Sequence, residues 1–182
     1  NEYLPKEANW AELFDWLTTE IAGSGAHRLR TYWYVIETVD FSPYRLPAAR
    51  KDRDTLEKVL RRHEPFNIEL DAMPLEADRE KRIDEFVAEL KVRESQFGRR
   101  FKGWQVLQDG IAKKHRAIEF RRAGAIRYNL FDKQLGNEKA VDVMLATDLI
   151  TLKSIYDLAI IVSGDQDYVP AVKSVKDAGK TV

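Results

Sequence analysis

The sequence predicts a three-layer α/β fold, with helices on both faces of a central, mainly parallel sheet. Residues 158–162 form an unbroken aliphatic run, which is typical of strands buried on both faces. A helical pattern follows over 168–178 and stops before Gly179, a residue that commonly ends helices. Near the N-terminus, a helical pattern capped by Asn9 precedes an aromatic and β-branched run at 29–36. Helices and strands that alternate in this way build a parallel sheet covered on both sides.

The composition indicates one domain and excludes some classes of cross-link, metal site and membrane segment. The 182 residues suffice for a single domain with room for an insertion, and 44% hydrophobic residues can fill a sizeable core. The absence of cysteine excludes disulfides and thiolate metal sites. The longest aliphatic stretch is about five residues, which is far too short to cross a bilayer. We therefore expect a cytoplasmic protein with no membrane partner.

Positive charge is concentrated in residues 91–127, although the net charge of the chain is zero. This segment holds eleven Lys or Arg residues against three acids, a local charge of +8, so the remainder carries −8. A basic segment in a neutral domain suggests that one part holds a polyanion and another binds a cation. A solvated basic helix or hairpin explains the same pattern, because exposed Lys and Arg are common.

The middle of the chain adds helices without an obvious buried strand, and we interpret residues 43–100 as a helical insertion. Within it we predict a short helix at 54–62, an irregular stretch at 63–74 and a long charged helix at 76–97. We expect any homo-oligomer or protein partner to form through this insertion.

Further strands and one more helix are predicted after the insertion. Residues 104–107 indicate a strand, and 117–130 indicate two short strands around Ala123-Gly124 with a cationic face. Gly136-Asn137 is expected to start a helix over 138–150. The residues expected in the core are Val141, Leu145 and Leu149 of that helix and the tryptophans Trp10, Trp16, Trp33 and Trp104.

Four acids point to a common site. Asp165 and Asp167 follow the strand predicted at 158–162, at the sheet edge where open α/β folds bind ligands. Glu138 and Asp142 are four residues apart, so they would share one face of the predicted helix. If that helix packs along the strand, the acids approach one another and need a cation between them. Such oxygen ligands suit Mg²⁺ or Mn²⁺, which can make a bound water nucleophilic.

Structural explanations of the same residues stay open. The Asp-x-Asp pair can start the following helix, with Asp167 as the N-cap and Pro170 in the first turn. An i, i+4 pair of acids is often a solvated helix face. Asp148 lies off the Asp142 face, so we expect it to form an ion pair with Lys153 or another lysine. The histidines lack metal-ligand spacing and are interpreted as surface or packing residues.

The order of these motifs resembles the NYN domain family of the PIN-like nuclease superfamily. Residues 138–143, EKAVDV, are similar to an acidic helix motif of the family, and Asp148-Leu149 fits the acidic position after it. Residues 158–170, LAIIVSGDQDYVP, resemble its strand and SGDxD signature, and 179–182, GKTV, resemble its continuation. The motifs are specific through their order and spacing.

The resemblance implies a PIN-like, Rossmannoid fold for residues 1–182 as a single domain, with metal-dependent ribonuclease chemistry. Residues 1–37 fit the family loosely, and 43–100 have no counterpart in it. Family members open with a strand that ends in an Asp-Gly-x-Asn motif. Asn1 resembles that Asn, so the first strand and its metal-binding Asp are expected upstream of residue 1. The positions that match the family's metal ligands are Asp142, Asp165 and Asp167.

Our leading hypothesis is a Mg²⁺- or Mn²⁺-dependent endoribonuclease. Glu138 would be a nearby ligand or the base that orients water, and Ser163-Gly164 would form the turn that presents the acids. We expect an exposed Tyr128 or Phe131 to stack on an unpaired base, as proteins commonly hold single-stranded RNA. The residues expected to contact RNA are Asn1, Lys139, Ser163, Lys113, Lys114, Arg121, Arg122 and Arg127.

Two other functions stay open at this point. A non-catalytic PIN-like module that binds RNA or protein is favoured by the missing first acid and by the long insertion. A phosphotransferase of the haloacid dehalogenase type would use an Asp as nucleophile and form a phosphoryl-enzyme. The late position of the Asp-x-Asp pair in this chain counts against the phosphotransferase.

Overall fold

The computed structural model describes residues 8–43 and 51–182, which form a mixed α/β structure as the sequence predicts. In chain order the elements are α1 (Trp10–Ala22), β1 (Thr31–Ser42), α2 (Arg53–Leu60), α3 (Glu64–Asp71), α4 (Glu76–Lys114), β2 (Ile118–Asn129), β3 (Leu135–Lys139), α5 (Val141–Thr151) and α6 (Val169–Asp177). Among the described residues, no helix combines the length and apolar character needed to span a membrane.

The chain divides into two compact units. Unit 1 consists of Asn1–Glu37, Trp104–Gly124 and Lys139–Val182. Unit 2 consists of Thr38–Gly103 and Ala125–Glu138, so it spans the whole of the predicted 43–100 insertion. Strands β1 and β2 and helix α4 contribute residues to both units. Asp142, Asp165 and Asp167 lie in unit 1, whereas Glu138 lies in unit 2.

The three strands form one mixed sheet in the order β1-β2-β3. Strands β1 and β2 are parallel, since Thr31 donates its N–H to the Ala117 carbonyl at one end (2.8 Å) and Leu130 donates to Ser42 at the other (2.9 Å). Strands β2 and β3 form a hairpin closed by the Asn129 N–H on the Gln134 carbonyl at 2.9 Å. The mainly parallel central sheet predicted from the sequence is therefore not seen in the residues described.

The prediction of a doubly buried strand at 158–162 is wrong. Only Leu158 forms a β-bridge, a parallel one with Thr181, and Ala159 donates its N–H to the Thr181 carbonyl at 2.9 Å. Residues 159–165 have no regular secondary structure, and Val162 is 80% exposed. A strand requires a hydrogen-bonded neighbour along its length, and within the described ranges the pairing stops after Ala159.

Strand β2 is one continuous strand rather than two short ones, because it pairs with β1 on one side and β3 on the other. The predicted break at Gly124 has a different meaning. Gly124 adopts a positive φ of 63°, and a Cβ atom there would lie 1.7 Å from the Lys139 carbonyl oxygen. A glycine is needed at this position because the backbones of β2 and β3 approach each other so closely.

Two predictions in the central region are also wrong. Residues 104–107 are helical, because α4 runs on from Glu76 to Lys114 and presents its second half to β2. There Gln108, 9% exposed, accepts hydrogen bonds from Arg122. Residues 63–74 are not irregular but contain α3, with a proline in its first turn. Its Phe66 and Leu70 are spaced i, i+4 and are both buried, so packing stabilises this short helix.

Unit 2 has a well-formed hydrophobic core. Phe66, Leu70 and Leu90 are almost completely buried, and the ring of Phe66 stacks on that of Phe86 with a centroid distance of 4.1 Å. Phe97 stacks on Tyr128 at 4.0 Å. The predicted helices at 54–62 and 76–97 are confirmed in outline, and they bury their apolar faces here.

Unit 1 has a smaller core, built where α5 packs on α6. Leu149, Ala171 and Val175 are buried there. Trp10 and Trp33 contact each other edge to face at 5.2 Å and are partly buried. Trp16 and Trp104 are 57% and 41% exposed, so the prediction that both belong to the core is wrong.

Candidate functional site

Helix α5 carries Asp142 in its first turn. The helix begins at Val141, after Ala140 with a left-handed φ of 77°, and Val141 and Leu149 bury its inner side. Glu138 lies before this turn, in strand β3. The prediction that Glu138 and Asp142 share a helical face is therefore wrong, because pairing with β2 holds 135–139 in the extended conformation.

The loop between residue 162 and helix α6 presents the other two acids. The Ser163 hydroxyl oxygen accepts the Asp165 N–H at 3.2 Å, and Asp165 Oδ1 accepts the Asp167 N–H at 2.9 Å. These bonds form two successive side-chain turns that fix the loop backbone. Both carboxylates are exposed.

The start and end of α6 differ slightly from the prediction. Tyr168 occupies the N-cap without a side-chain cap bond, so the prediction of Asp167 as the N-cap is wrong. Asp167 lies one residue before the N-cap position. Its N–H donates to the Asp165 carboxylate. Pro170 in the first turn and Gly179 after the last turn, with a φ of 82°, are confirmed.

An open groove of about 450 Å³ lies beside the loop, within unit 1. Its polar wall includes Ser163 and Asp165, while Ile161, Tyr168 and Val172 contribute to its other walls. The acid-bearing loop therefore opens onto a largely apolar depression.

The described residues do not form a metal centre. Carboxylate oxygens have the chemistry that Mg²⁺ or Mn²⁺ prefers. However, no three His, Cys, Asp or Glu side chains in the described ranges are arranged to hold a metal ion. Asp142 lies in the first turn of α5 and Asp165 and Asp167 lie in the loop before α6, and their assignment as metal ligands stays a prediction.

Asp148 has partners other than the predicted lysines. Its Oδ2 accepts the Tyr34 hydroxyl at 3.0 Å and lies 3.5 Å from Arg121 Nη1. Its side chain is only 14% exposed. Burial, the charge of Asp148 and this hydrogen bond together raise the pKa of Tyr34 well above its ordinary value. The expected ion pair of Asp148 therefore forms with an arginine instead of a lysine.

The predicted RNA contacts fall into three groups. Arg121 and Arg122 are engaged within unit 1: Arg121 pairs with Glu119 at 2.6 Å, and Arg122 pairs with Asp109 at 2.6 Å. The exposed residues are Lys113, Lys114, Lys139, Ser163 and Arg127. Asn1 lies outside the described residues.

The aromatic residues proposed for base stacking are not both available. Tyr128 is 6% exposed and stacks on Phe97, so the expectation that it is exposed is wrong. Phe131 is partly buried and stacks on His63 with a centroid distance of 4.9 Å. Within unit 2, both rings serve packing.

Tyr34 is a partner of Asp148 that sequence reasoning missed. It lies in an aromatic run that reads simply as a strand, and its partner Asp148 is 114 positions away. The available signal was weak: residues alternate across a strand, so Tyr32 and Tyr34 share a face. Nothing local indicates which helix covers that face.

A comparison with known protein families identifies the family of this chain. A family model described as the NYN domain matches residues 69–182. The chain belongs to the NYN domain family. NYN domains are a PIN-like nuclease family, so the resemblance seen in residues 138–182 is confirmed. The match also includes residues 69–100, for which the sequence motifs offered no counterpart. No curated protein and no solved structure matches the chain.

Proposed function

We propose that this NYN domain is a divalent-metal-dependent endoribonuclease. The observation that carries the proposal is the family match across Asp142 and the SGDQD loop, in a chain that concentrates a charge of +8 in residues 91–127. Nucleases of this kind use carboxylate-bound metal ions to activate water and neutralise phosphate charge. Asp142, Asp165 and Asp167 would hold Mg²⁺ or Mn²⁺.

The chain's own side chains would supply substrate binding. The exposed Lys113, Lys114 and Lys139 are suited to backbone phosphates, since each presents a mobile ammonium group to solvent. Ser163 holds the loop backbone through Asp165, and Asp165 in turn holds Asp167. These two hydrogen bonds would hold the Asp165 and Asp167 carboxylates in fixed positions beside the groove.

The test is cleavage of a labelled single-stranded RNA with Mn²⁺, with Mg²⁺ and with EDTA. We expect metal-dependent cleavage that Asp165→Asn reduces by at least about 100-fold, because the change removes a charged ligand. Asp177→Asn is the matched control, since this exposed acid lies at the far end of α6. Cleavage that survives Asp142→Asn, Asp165→Asn and Asp167→Asn would refute the proposal.

A non-catalytic RNA-binding module is the second candidate. The long charged helix α4 and the exposed Lys113 and Lys114 at its end favour it, because such groups bind RNA phosphates without a metal ion. This candidate predicts RNA binding that weakens with salt, persists in EDTA and leaves the RNA intact. Binding without cleavage in every metal tested would support it over the nuclease.

A further inference from the structure

The polar cluster of Tyr34, Arg121 and Asp148, called here the Asp148 cluster, joins three elements of unit 1. Tyr34 lies on β1, Arg121 on β2 and Asp148 on α5. The Tyr34 hydroxyl donates to Asp148 Oδ2 at 3.0 Å, and Arg121 Nη1 lies 3.5 Å from the same oxygen. One carboxylate oxygen of the helix therefore receives a contact from each of two neighbouring strands.

The two faces of the sheet are used differently here. Trp33 stacks on Phe120 with a centroid distance of 5.2 Å, which makes one face aromatic. Side chains alternate along a strand, so Tyr34 and Arg121 project from the opposite face. The Arg121 guanidinium also lies 4.7 Å from the ring centroid of Tyr32 on that face. The Asp148 cluster is thus the polar attachment of α5 to an otherwise aromatic part of the sheet.

Burial of the Asp148 cluster increases the free-energy cost of losing its contacts. The Asp148 side chain is 14% exposed and that of Arg121 is 27% exposed. Removing the partners of a buried carboxylate is costly, because it keeps its charge without the hydration that compensates it. A pair in this setting is also screened by salt less than an exposed pair.

We propose that the Asp148 cluster positions helix α5 on the sheet, and that Arg121 serves the Asp148 carboxylate instead of an RNA phosphate. Asp148 is then a positioning residue, although it occupies an acidic position of the NYN pattern. Its relevance to catalysis rests on the proposed function, since α5 carries Asp142 in its first turn. The positioning itself does not depend on that function.

The first test is a double-mutant cycle between Tyr34→Phe and Asp148→Asn in the full chain. Both changes preserve side-chain size, so the variants are expected to fold. We expect each single variant to lower the unfolding midpoint, and the double variant to lower it by less than the sum. Hydrogen exchange of the α5 amides should accelerate in all three variants, while exchange in α2 stays unchanged. Strictly additive effects, or unchanged α5 exchange, would overturn the proposal.

The second test separates positioning from RNA contact. Arg121→Met should accelerate α5 exchange and leave the salt dependence of RNA binding unchanged, and Arg121→Lys should restore part of the protection. Arg116→Met is the matched control for exchange, because Arg116 is exposed and has no contact with Asp148 among its described interactions. A lower salt slope in Arg121→Met, with normal α5 exchange, would assign Arg121 to RNA and overturn the proposal. The exchange result decides the matter even if the protein proves not to bind or cleave RNA.

Discussion

Gly124 stands where strand β2 comes closest to the backbone of Lys139. A Cβ atom at this position would lie 1.7 Å from the Lys139 carbonyl oxygen, and the φ of 63° is itself unfavourable for other residues. The close approach matters to the site because Lys139 and Ala140 lead directly into α5. The missing side chain at Gly124 therefore permits the backbone approach that immediately precedes the acidic helix.

We predict that Gly124→Ala destabilises the protein by clearly more than the cost of about 1 kcal/mol expected for left-handed strain alone. Gly179→Ala is the matched control, since Gly179 also has a positive φ, of 82°, but no atom within 4 Å of the added methyl group. The measurement is the free energy of unfolding in urea for both variants. Equal destabilisation would show that the backbone approach at Lys139 contributes nothing.

The raised pKa of Tyr34 makes the free energy of unfolding depend on pH in the alkaline range. Burial, followed by the charge of Asp148 and its hydrogen bond, raises the pKa of Tyr34 above its ordinary value of about 10. Above that pH the unfolded chain releases the phenolic proton while the folded chain retains it. The free energy of unfolding therefore falls as pH rises through this range.

We predict that the unfolding midpoint drops between about pH 9 and about pH 11, and that Tyr34→Phe makes this drop smaller. Asp148→Asn should also reduce it, because it removes the negative charge that opposes ionisation. Midpoints followed by circular dichroism, together with tyrosinate absorbance, provide the measurement. An unchanged pH dependence in Tyr34→Phe would contradict the prediction.

Helix α4 is longer than its sequence predicts. Its helix propensity falls after Phe97, with glycines at 98, 103 and 110, yet the helix continues to Lys114. Packing explains the extension: Ile111 is buried, and Arg122 donates to the Gln105 carbonyl at 3.1 Å. Tertiary contacts of this kind commonly override weak propensity.

The first half of α4 depends on the core of unit 2. Leu90 is completely buried, whereas Val92, two residues along, is 54% exposed. We predict that Leu90→Ala lowers the free energy of unfolding by about 2–5 kcal/mol. Val92→Ala, on the outer face of the same helix, should cost less than about 0.5 kcal/mol. Denaturant titration of both variants tests this, and similar costs would show that burial does not govern this helix.

For the whole molecule, charge distribution bears on function more than net charge does. The chain is neutral, yet residues 91–127 carry +8. The structure uses part of that charge internally, because Arg121 and Arg122 are held by acids. Lys113 and Lys114, at the exposed end of α4, are the better candidates for phosphate contacts.

We predict that Lys113→Gln with Lys114→Gln lowers the salt slope of RNA binding by about 0.7 for each phosphate that these lysines neutralise. Lys153→Gln with Lys173→Gln is the control, since both lysines are exposed or partly exposed and lie outside the basic segment. Fluorescence anisotropy with single-stranded RNA over a range of salt concentrations provides the slopes. Equal slopes for the two double variants would mean that RNA does not use the end of α4.

The sequence by itself determined the features that depend on neighbouring residues. The SGDQD loop, Pro170 and Gly179 define the start and end of α6, and the order of the motifs indicated the NYN family. Only the tertiary structure decided which segments pair. Residues 138–139 are predicted as the start of a helix but pair with β2 in strand β3, and the aliphatic run at 158–162 lacks pairing beyond Ala159 in the described residues.

In the candidate site, too, some features follow from local sequence and others only from tertiary packing. The identities of Asp142, Asp165 and Asp167 follow from local motifs, but their separation does not, and the structure does not assemble them into a metal group within the described ranges. Asp148 meets Tyr34 across 114 positions. Local sequence fixes dihedral preferences and turns, whereas contacts over such distances depend on how the sheet and helices pack, which no short motif encodes.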